Sequence, residues 1–400
     1  MLPKLFSTAW KIVTVTEPVM FHRTYDEVWL LNPGRRYILN ADQVEKVSQW
    51  VDTCSDFAGA SLHNPLRAGQ NLANASLLIE RVRDRGIGDL LFLTAPIAFM
   101  QHACGRLLTV DLYALSDRGQ VLTHNQDLRN GCVLAGPIEY DHLRNYAYHW
   151  FVESVTEWDE EPDQHNVYDA LYAQLGFSPD QIDSEWKRPR ATCVPQDYKH
   201  LDQFFYSVWN AKHIDLRRTG YYVVAPFASA SIRAFDYQRW LTIIKELSQR
   251  RPVVVIGTTR MKLPDTSISV GEFHQQLGGM GNSVINAIDG TPLRILMALI
   301  SRAKGFVGLD SGPLYIAQGL RTPAVSIWGS HHPGVRIGYD KTYMDLAVWK
   351  GEACPHAPCF AYLNFPASKC PEGKFQAECS VYKSVTPSDV LSKVDIIEQA

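Results

Sequence analysis

No stretch of this 400-residue chain approaches the ~18 consecutive apolar residues that a bilayer-spanning helix requires. Residues 1–21 are mildly apolar, but Lys4, Lys11, Glu17 and Pro18 interrupt them and no small-residue cleavage site follows. Charge of one sign is also missing. The 39 basic and 42 acidic side chains leave a formal net charge of −3, so nothing draws the whole molecule to nucleic acid. There is no internal repeat and no low-complexity tract. No Asp-x-Asp stands at a strand end, which removes the carboxylate pairs that hold magnesium. A cytoplasmic protein is expected, with peripheral contact at the inner membrane face left open.

What is present is a soluble globular composition, 46% hydrophobic and 20% charged. The length suggests two domains, perhaps with an appendage. Eight cysteines are unevenly spread. Cys54, Cys104, Cys132 and Cys193 are isolated, whereas Cys354, Cys359, Cys370 and Cys379 crowd together with four, ten and eight residues between them. Four thiolates could bind zinc tetrahedrally, but the close paired knuckles are absent, and reduced structural cysteines are the first expectation. His356 lies among them as a further zinc candidate of lower weight.

Residues 1–75 read as an extension, with a strand over 27–31, a turn at Asn32-Pro33-Gly34 and a helix over 42–51. From Ser76 strands and helices alternate: a strand over 77–82, a tight loop at Gly86-Ile87-Gly88 and a helix over 90–101. Further strands are expected over 107–112 and 131–134, and a helix over 168–175. The acidic run over 157–163 reads as a solvated loop. A second alternation opens near Gly220. Strands are expected over 221–225, 252–256, 283–286, 306–309 and 324–328, and helices over 237–250 and 293–303. A linker is placed between Lys187 and Arg218, and a last helix over 387–399. Two such series imply an α/β protein with two doubly wound, Rossmann-like domains facing a cleft.

The most informative segment runs from Gly305 to Ala317. A buried strand ends in Asp310-Ser311-Gly312-Pro313 and a small-residue helix follows. Such a turn offers backbone N–H groups, a hydroxyl and a helix dipole to an anion. The same residues also read as an ordinary helix cap. Asp89 stands after two glycines at a strand-to-helix junction, where a carboxylate could act as a general base or simply cap the helix. The loop from Ala225 to Arg233 carries small residues and hydroxyls, including Ser229, and its arginine could neutralise a departing diphosphate. His331 and His332 follow the strand over 324–328 and could approach the ligand side, but read first as loop residues.

In this order the segments resemble glycosyltransferase family nine, the ADP-heptose:lipopolysaccharide heptosyltransferases and their relatives. Gly86 to Leu91 is similar to the family's Gly-x-Gly-Asp turn, and Pro226 to Arg233 to its phosphate-side loop, with arginine in place of lysine. Asp289 to Leu293 followed by Gly308 to Pro313 looks like its donor signature. Cys354 to Cys379 and Val385-Thr386-Pro387 match its C-terminal segment. The likeness covers roughly residues 76–400 and implies a GT-B fold, inversion of configuration and no catalytic metal or other cofactor. It implies an acceptor-side domain over 76–205, a nucleotide-sugar domain over 206–385 and a C-terminal helix over 386–400 that packs back on the N-terminal domain.

Carried over, Asp89 becomes the catalytic base and Arg233 the stabiliser of the leaving group. Gly88, Ser229, Thr291, Asp310, Ser311, Gly312 and Tyr315 line the donor site. The implied co-substrate is a nucleotide-diphosphate sugar, an ADP-sugar by resemblance, and the acceptor a lipopolysaccharide, a lipid-linked glycan or another surface glycan. Tyr315 departs from the family's histidine, and residues 1–75 lack a family counterpart. Two alternatives remain. One is a glycosyltransferase acting on a hydroxylated base in DNA, contacted through Arg81, Arg83, Arg85, Lys187, Arg188 and Arg190. The other is a non-catalytic nucleotide-sugar-binding protein, suggested by Tyr315.

Overall fold

The structure, a computed structural model, describes residues 10–22, 28–56, 72, 74–81, 86–113, 116–131, 134, 136, 138–152, 166–228, 233–259, 269–359, 370 and 379–399. The chain forms two compact units. The first comprises Met1–Arg85, Pro96–Val155 and Asp169–Ile182, and the second Gly86–Ala95, Thr156–Tyr168 and Asp183–Ala400. Both depart from the expected boundaries, because residues 86–95 and the whole of 183–205 belong with the C-terminal unit.

In the first unit, strands β1 (Trp10–Val15), β4 (Arg36–Asn40) and β5 (Val51–Asp56) form an antiparallel sheet in the order β4-β1-β5. A hairpin of β2 (Val19–His22) and β3 (Val28–Leu31) accompanies it. In this extension β3, the turn ending at Gly34, whose φ of +73° suits glycine, and the helix Ala41–Val47, shorter than the expected 42–51, were anticipated. In β5 an irregularity intervenes: Ile12 of β1 pairs with Ser55 and Val13 with Thr53, so Cys54 is an extra residue that breaks the alternation of β5. The extension is not a loose appendage. The Ile38 N–H donates to the Ile138 carbonyl at 3.1 Å, and Ile38 shares a core with Leu78, Ile138, Leu143 and Tyr146. A parallel sheet follows in the order β7-β6-β8, made of β6 (Ser76–Arg81), β7 (Thr109–Tyr113) and β8 (Tyr148–Val152). Of the strand expected over 131–134, the described residues Gly131 and Leu134 show a tight turn at Gly131 and an isolated bridge from Leu134 to Tyr113.

The second unit holds a six-stranded parallel sheet in the order β11-β10-β9-β12-β13-β14. Its strands are β9 (Tyr222–Ala225), β10 (Val253–Val255), β11 (Val284–Asn286), β12 (Gly305–Leu309), β13 (Ala324–Ile327) and β14 (Ala347–Val348). Their apolar runs are buried on both faces, as helix-covered parallel strands must be. The helix Tyr237–Arg250 starts at Asp236, whose carboxylate accepts the N–H groups of Gln238 and Arg239. It buries Tyr237, Trp240, Leu241, Ile244 and Leu247, each worth about 1.5–3 kcal/mol, along one stripe. Strand order reverses between β9 and β12, so the crevice outside their carboxyl ends is where an open α/β sheet takes its ligand.

Two expectations fail in this unit. The linker over 187–218 is largely the helix Pro195–Lys212, whose Leu201, Phe205 and Val208 form an apolar stripe. Arg294 clamps it: Nε donates to Asp197 at 3.1 Å and a terminal nitrogen to the Thr192 carbonyl at 2.9 Å. The C-terminal helix, Pro387–Gln399, was expected to return to the N-terminal domain. Its Val390, Val394 and Ile397 join the core of the second unit instead, and it packs on the helix Tyr237–Arg250, β13 and β14. Glu398 accepts from Arg251 at 2.9 and 3.0 Å and from the Tyr222 hydroxyl. Among the described residues, no helix is long and apolar enough to cross a membrane.

Candidate functional site

The site grows from two helix starts. The helix Ile87–Ala103 carries Asp89 in its first turn. The helix Gly312–Gly319 begins at the end of β12, with Pro313 in its first turn and no side chain capping it. Ser311 leaves its helix uncapped because its hydroxyl donates back to the Leu309 carbonyl at 3.3 Å. The two starts touch: a Cβ built on Gly312 would lie 3.0 Å from Ile87 Cβ and 3.8 Å from the Gly88 nitrogen. Two positive dipole ends and their amides therefore converge. Asp89 is half-buried there, with its carboxylate turned toward Gly86.

Tyr315 joins the two segments. Its hydroxyl donates to Asp310 Oδ1 and its ring packs on Phe92, centroids 4.6 Å apart. The ring also lies against Gly88, where a Cβ would stand 2.6 Å from Tyr315 Cδ2, so only glycine fits.

Asp310 is the centre of a buried polar cluster and only 4% exposed. His331 Nε2 lies 3.0 Å from its Oδ2. Arg233, at the end of the loop after β9, donates to the Asp310 main-chain carbonyl at 3.2 Å and stands 3.8 Å from Oδ2. Arg336 is buried nearby, its guanidinium 5.4 Å from the centre of the Phe92 ring. Burial alone would push the Asp310 carboxyl up; the contact with His331 and the charges of Arg233 and Arg336 hold it well below the usual carboxylate range. Burial lowers His331 against the opposing pull of Asp310, and both arginines add to the lowering. The Arg233 and Arg336 guanidiniums beside this turn are groups of the kind that recognise an anionic ligand.

The catalytic and donor residues inferred from the sequence are thus partly brought together. Gly88, Asp89, Arg233, Asp310, Ser311, Gly312 and Tyr315 come together, whereas Ser229 lies outside the described residues. Thr291 stands in the turn after β11, three strands from β12 and so ~14 Å along the same rim at ~4.8 Å per strand. Beside it Asp289, with φ of +55°, accepts the N–H and hydroxyl of Thr259. Sequence reasoning missed Arg336 and Thr259, and read His331 first as a loop residue that could approach the ligand side. The only signal for His331 was its place just beyond a buried strand, and Arg336 had none.

The basic residues suggested for DNA are otherwise engaged or lie outside the described side chains, as do Arg81, Arg83 and Arg85. Lys187 is buried over the Tyr339 ring, Arg188 donates to the Glu185 carbonyl and Arg190 stacks on Trp186. Cys354, Cys359 and Cys370 pack against the core that contains Cys379. Burial, with Cys359 and Cys354 nearby, pushes the Cys379 thiol up to about 11. This all-thiol set suits a thiophilic metal, although among the described residues no three candidate ligands stand at ligating distance.

Comparison with known proteins agrees with this arrangement. The profile of glycosyltransferase family 9 (heptosyltransferase) matches residues 141–364, a span that holds Arg233, Thr291 and the turn at Asp310 but begins after Asp89. No curated protein sequence matches the chain. Among solved structures, the ADP-heptose lipopolysaccharide heptosyltransferase II of E. coli superposes with a TM-score of 0.56 at 12% identity, over 82% of this chain and all of that one. A family 9 glycosyltransferase from Veillonella parvula gives 0.54 at 11%, over 82% and 98%. The iron-containing dodecameric glycosyltransferase TibC of enterotoxigenic E. coli gives 0.56 at 15%, over 99% of this chain and 93% of that one. TibC has also been solved with ADP-D-β-D-heptose. The TibC match extends over nearly the whole chain, whereas the other two cover 82% of it. The fold is the mixed α/β GT-B type of these heptosyltransferases, and the chain belongs to glycosyltransferase family 9.

Proposed function

We propose that this protein is an inverting transferase that moves a sugar, heptose or a relative, from a nucleotide-diphosphate donor to a hydroxyl of lipopolysaccharide or another surface glycan. The observation that carries the reading is the meeting of two helix N-termini at Gly88 and Gly312, with Asp89 on one and the Asp310–Arg233 cluster beside the other. Asp89 takes the proton of the acceptor hydroxyl as that oxygen bonds to the anomeric carbon. The bond from that carbon to the diphosphate oxygen breaks, and its electron pair leaves on the diphosphate. Arg233 and the amides at Ser311 and Gly312 meet the developing charge, so the protein supplies what a metal would otherwise supply. An ADP-linked donor is favoured by the ADP-D-β-D-heptose bound to TibC. A lipid-linked acceptor would bring the enzyme to the inner membrane face.

Asp89→Asn tests the assignment with an ADP-sugar and a truncated lipopolysaccharide acceptor. Turnover is expected to fall at least ~10³-fold while donor affinity stays within about three-fold, the pattern of a lost general base. Residual turnover within about ten-fold of wild type would remove Asp89 from the role. A hydroxylated DNA acceptor in the same assay reads the alternative directly.

A further inference from the structure

We propose that Tyr315 is a positioning residue for the base: its ring, held between the Asp310 turn and Gly88, sets where Asp89 stands relative to the donor. This rests on the reading of Asp89 as the general base. Tyr315 is 4% exposed, so it acts through its neighbours rather than on a bound sugar.

The grip comes from one helix face. In the helix Gly312–Gly319, positions 312, 315 and 319 lie on the same side, three or four residues apart. A Cβ on Gly312 would lie 3.0 Å from Ile87 Cβ, and a Cβ on Gly88 would lie 2.6 Å from Tyr315 Cδ2. A Cβ on Gly319 would stand 2.9 Å from the Ala191 nitrogen, whose N–H donates to the Gly319 carbonyl at 3.2 Å. The neighbouring Arg190 N–H donates to the Thr94 hydroxyl at 2.8 Å, on the helix Ile87–Ala103. The helix that carries Asp89 is therefore held at its first turn directly, and again at Thr94 through residues 190–191.

Tyr315 supplies the middle of this grip. Its hydroxyl donates to Asp310 Oδ1, and its ring meets Phe92 edge-on at 4.6 Å. Phe92 is itself backed by the Tyr168 ring at 5.7 Å and the Arg336 guanidinium at 5.4 Å. Gly88 immediately precedes Asp89, so a ring seated on Gly88 fixes the backbone from which the carboxylate projects. A reacting group misplaced by about 1 Å can cost ~100-fold in rate. The Ser311 and Gly312 amides offered to the diphosphate precede Tyr315 in the chain and do not depend on its ring. Loss of the ring should therefore slow turnover and spare nucleotide affinity.

A double-mutant cycle between Asp89 and Tyr315 separates positioning from mere support. Turnover is measured with a truncated lipopolysaccharide acceptor and an ADP-sugar, or a UDP- or GDP-sugar if wild type turns that over faster, and affinity for the free nucleotide by calorimetry. Tyr315→Leu is expected to lower kcat by about 30-fold or more while nucleotide affinity stays within about three-fold. Tyr315→Phe, which keeps the ring, should hold kcat within about five-fold of wild type. Asp89→Asn, worth at least ~10³-fold in wild type, should cost less than about 30-fold beside Tyr315→Leu, because the base is already displaced. Gly88→Ala presses a methyl against the ring from the other side and should give the same split of slower turnover and kept affinity. It carries the cycle if the leucine variant shows no thermal transition. An equal Asp89→Asn cost in both backgrounds, a phenylalanine variant as slow as the leucine one, or a Tyr315→Leu loss confined to nucleotide affinity would overturn the proposal and leave Asp89 as the base. Failure of wild type to turn over any of the three donors, or turnover undiminished by Asp89→Asn, would remove the base reading and this inference with it.

Discussion

Tyr315 shows how much one position decides. Read against the family pattern, it stands where a histidine is usual and suggests lost function. In the folded chain its hydroxyl serves Asp310 while its ring fills the space that Gly88 leaves open. The substitution therefore leaves the Asp310 turn with a polar partner and the Asp89 turn with a packing partner, which weakens the non-catalytic alternative. Asp89, Arg233, Asp310, Ser311 and Gly312 were legible because each lies at a strand-to-helix junction or in its loop, where residue type signals chemistry locally. Arg336 was not, and His331 was read first as a loop residue. They reach Asp310 because β13 runs beside β12, a relation that only strand order supplies. The family profile, which starts at residue 141, says nothing of Asp89, so that role depends on the Asn substitution described above.

At the scale of elements, the β/α alternation of the second unit was plain in the sequence: its apolar runs are short, its strands buried on both faces and its helices strongly two-sided. The strand β5 was not, since an extra residue, Cys54, breaks the alternation that marks a strand. The C-terminal helix was found, but its destination was not, because Val390, Val394 and Ile397 mark a buried face without naming what buries it. Its latch makes a prediction. Hydrogen bonds from Arg251 chiefly, with Tyr222 adding, outweigh the effect of burial and lower Glu398 from 4.5 to about 2. A carboxyl depressed on folding stabilises fully above its unfolded value and loses that contribution as pH falls toward the folded one. Glu398→Gln should therefore lower the free energy of urea unfolding by roughly 1–2 kcal/mol near neutrality, allowing for partial exposure. The gap between the two proteins should narrow steadily from about pH 5 to about pH 3. A gap that stays constant or widens across that range would show that the latch does not depend on the carboxylate charge.

Across the whole molecule, composition pointed to two α/β domains, and two compact units are present. Their boundaries differ because contacts, not sequence alternation, decide membership. Tyr315 and Phe92 tie residues 86–95 to the second unit, and Arg294 ties the helix Pro195–Lys212 to it. The ligand groups assembled within that unit are a pair of helix starts and a tethered arginine. That combination should recognise a nucleotide diphosphate without help from a divalent cation. The most direct measurement is the thermal unfolding of the full chain with ADP-, UDP-, GDP-, CMP- and dTDP-linked sugars and their free nucleotides, in chelator and in magnesium. Selective stabilisation by the ADP ligands, equal with and without magnesium, is the predicted result, worth about 2.7 kcal/mol at a hundred times the Kd. No stabilisation by any nucleotide, under conditions where a known family 9 enzyme responds, would contradict the account.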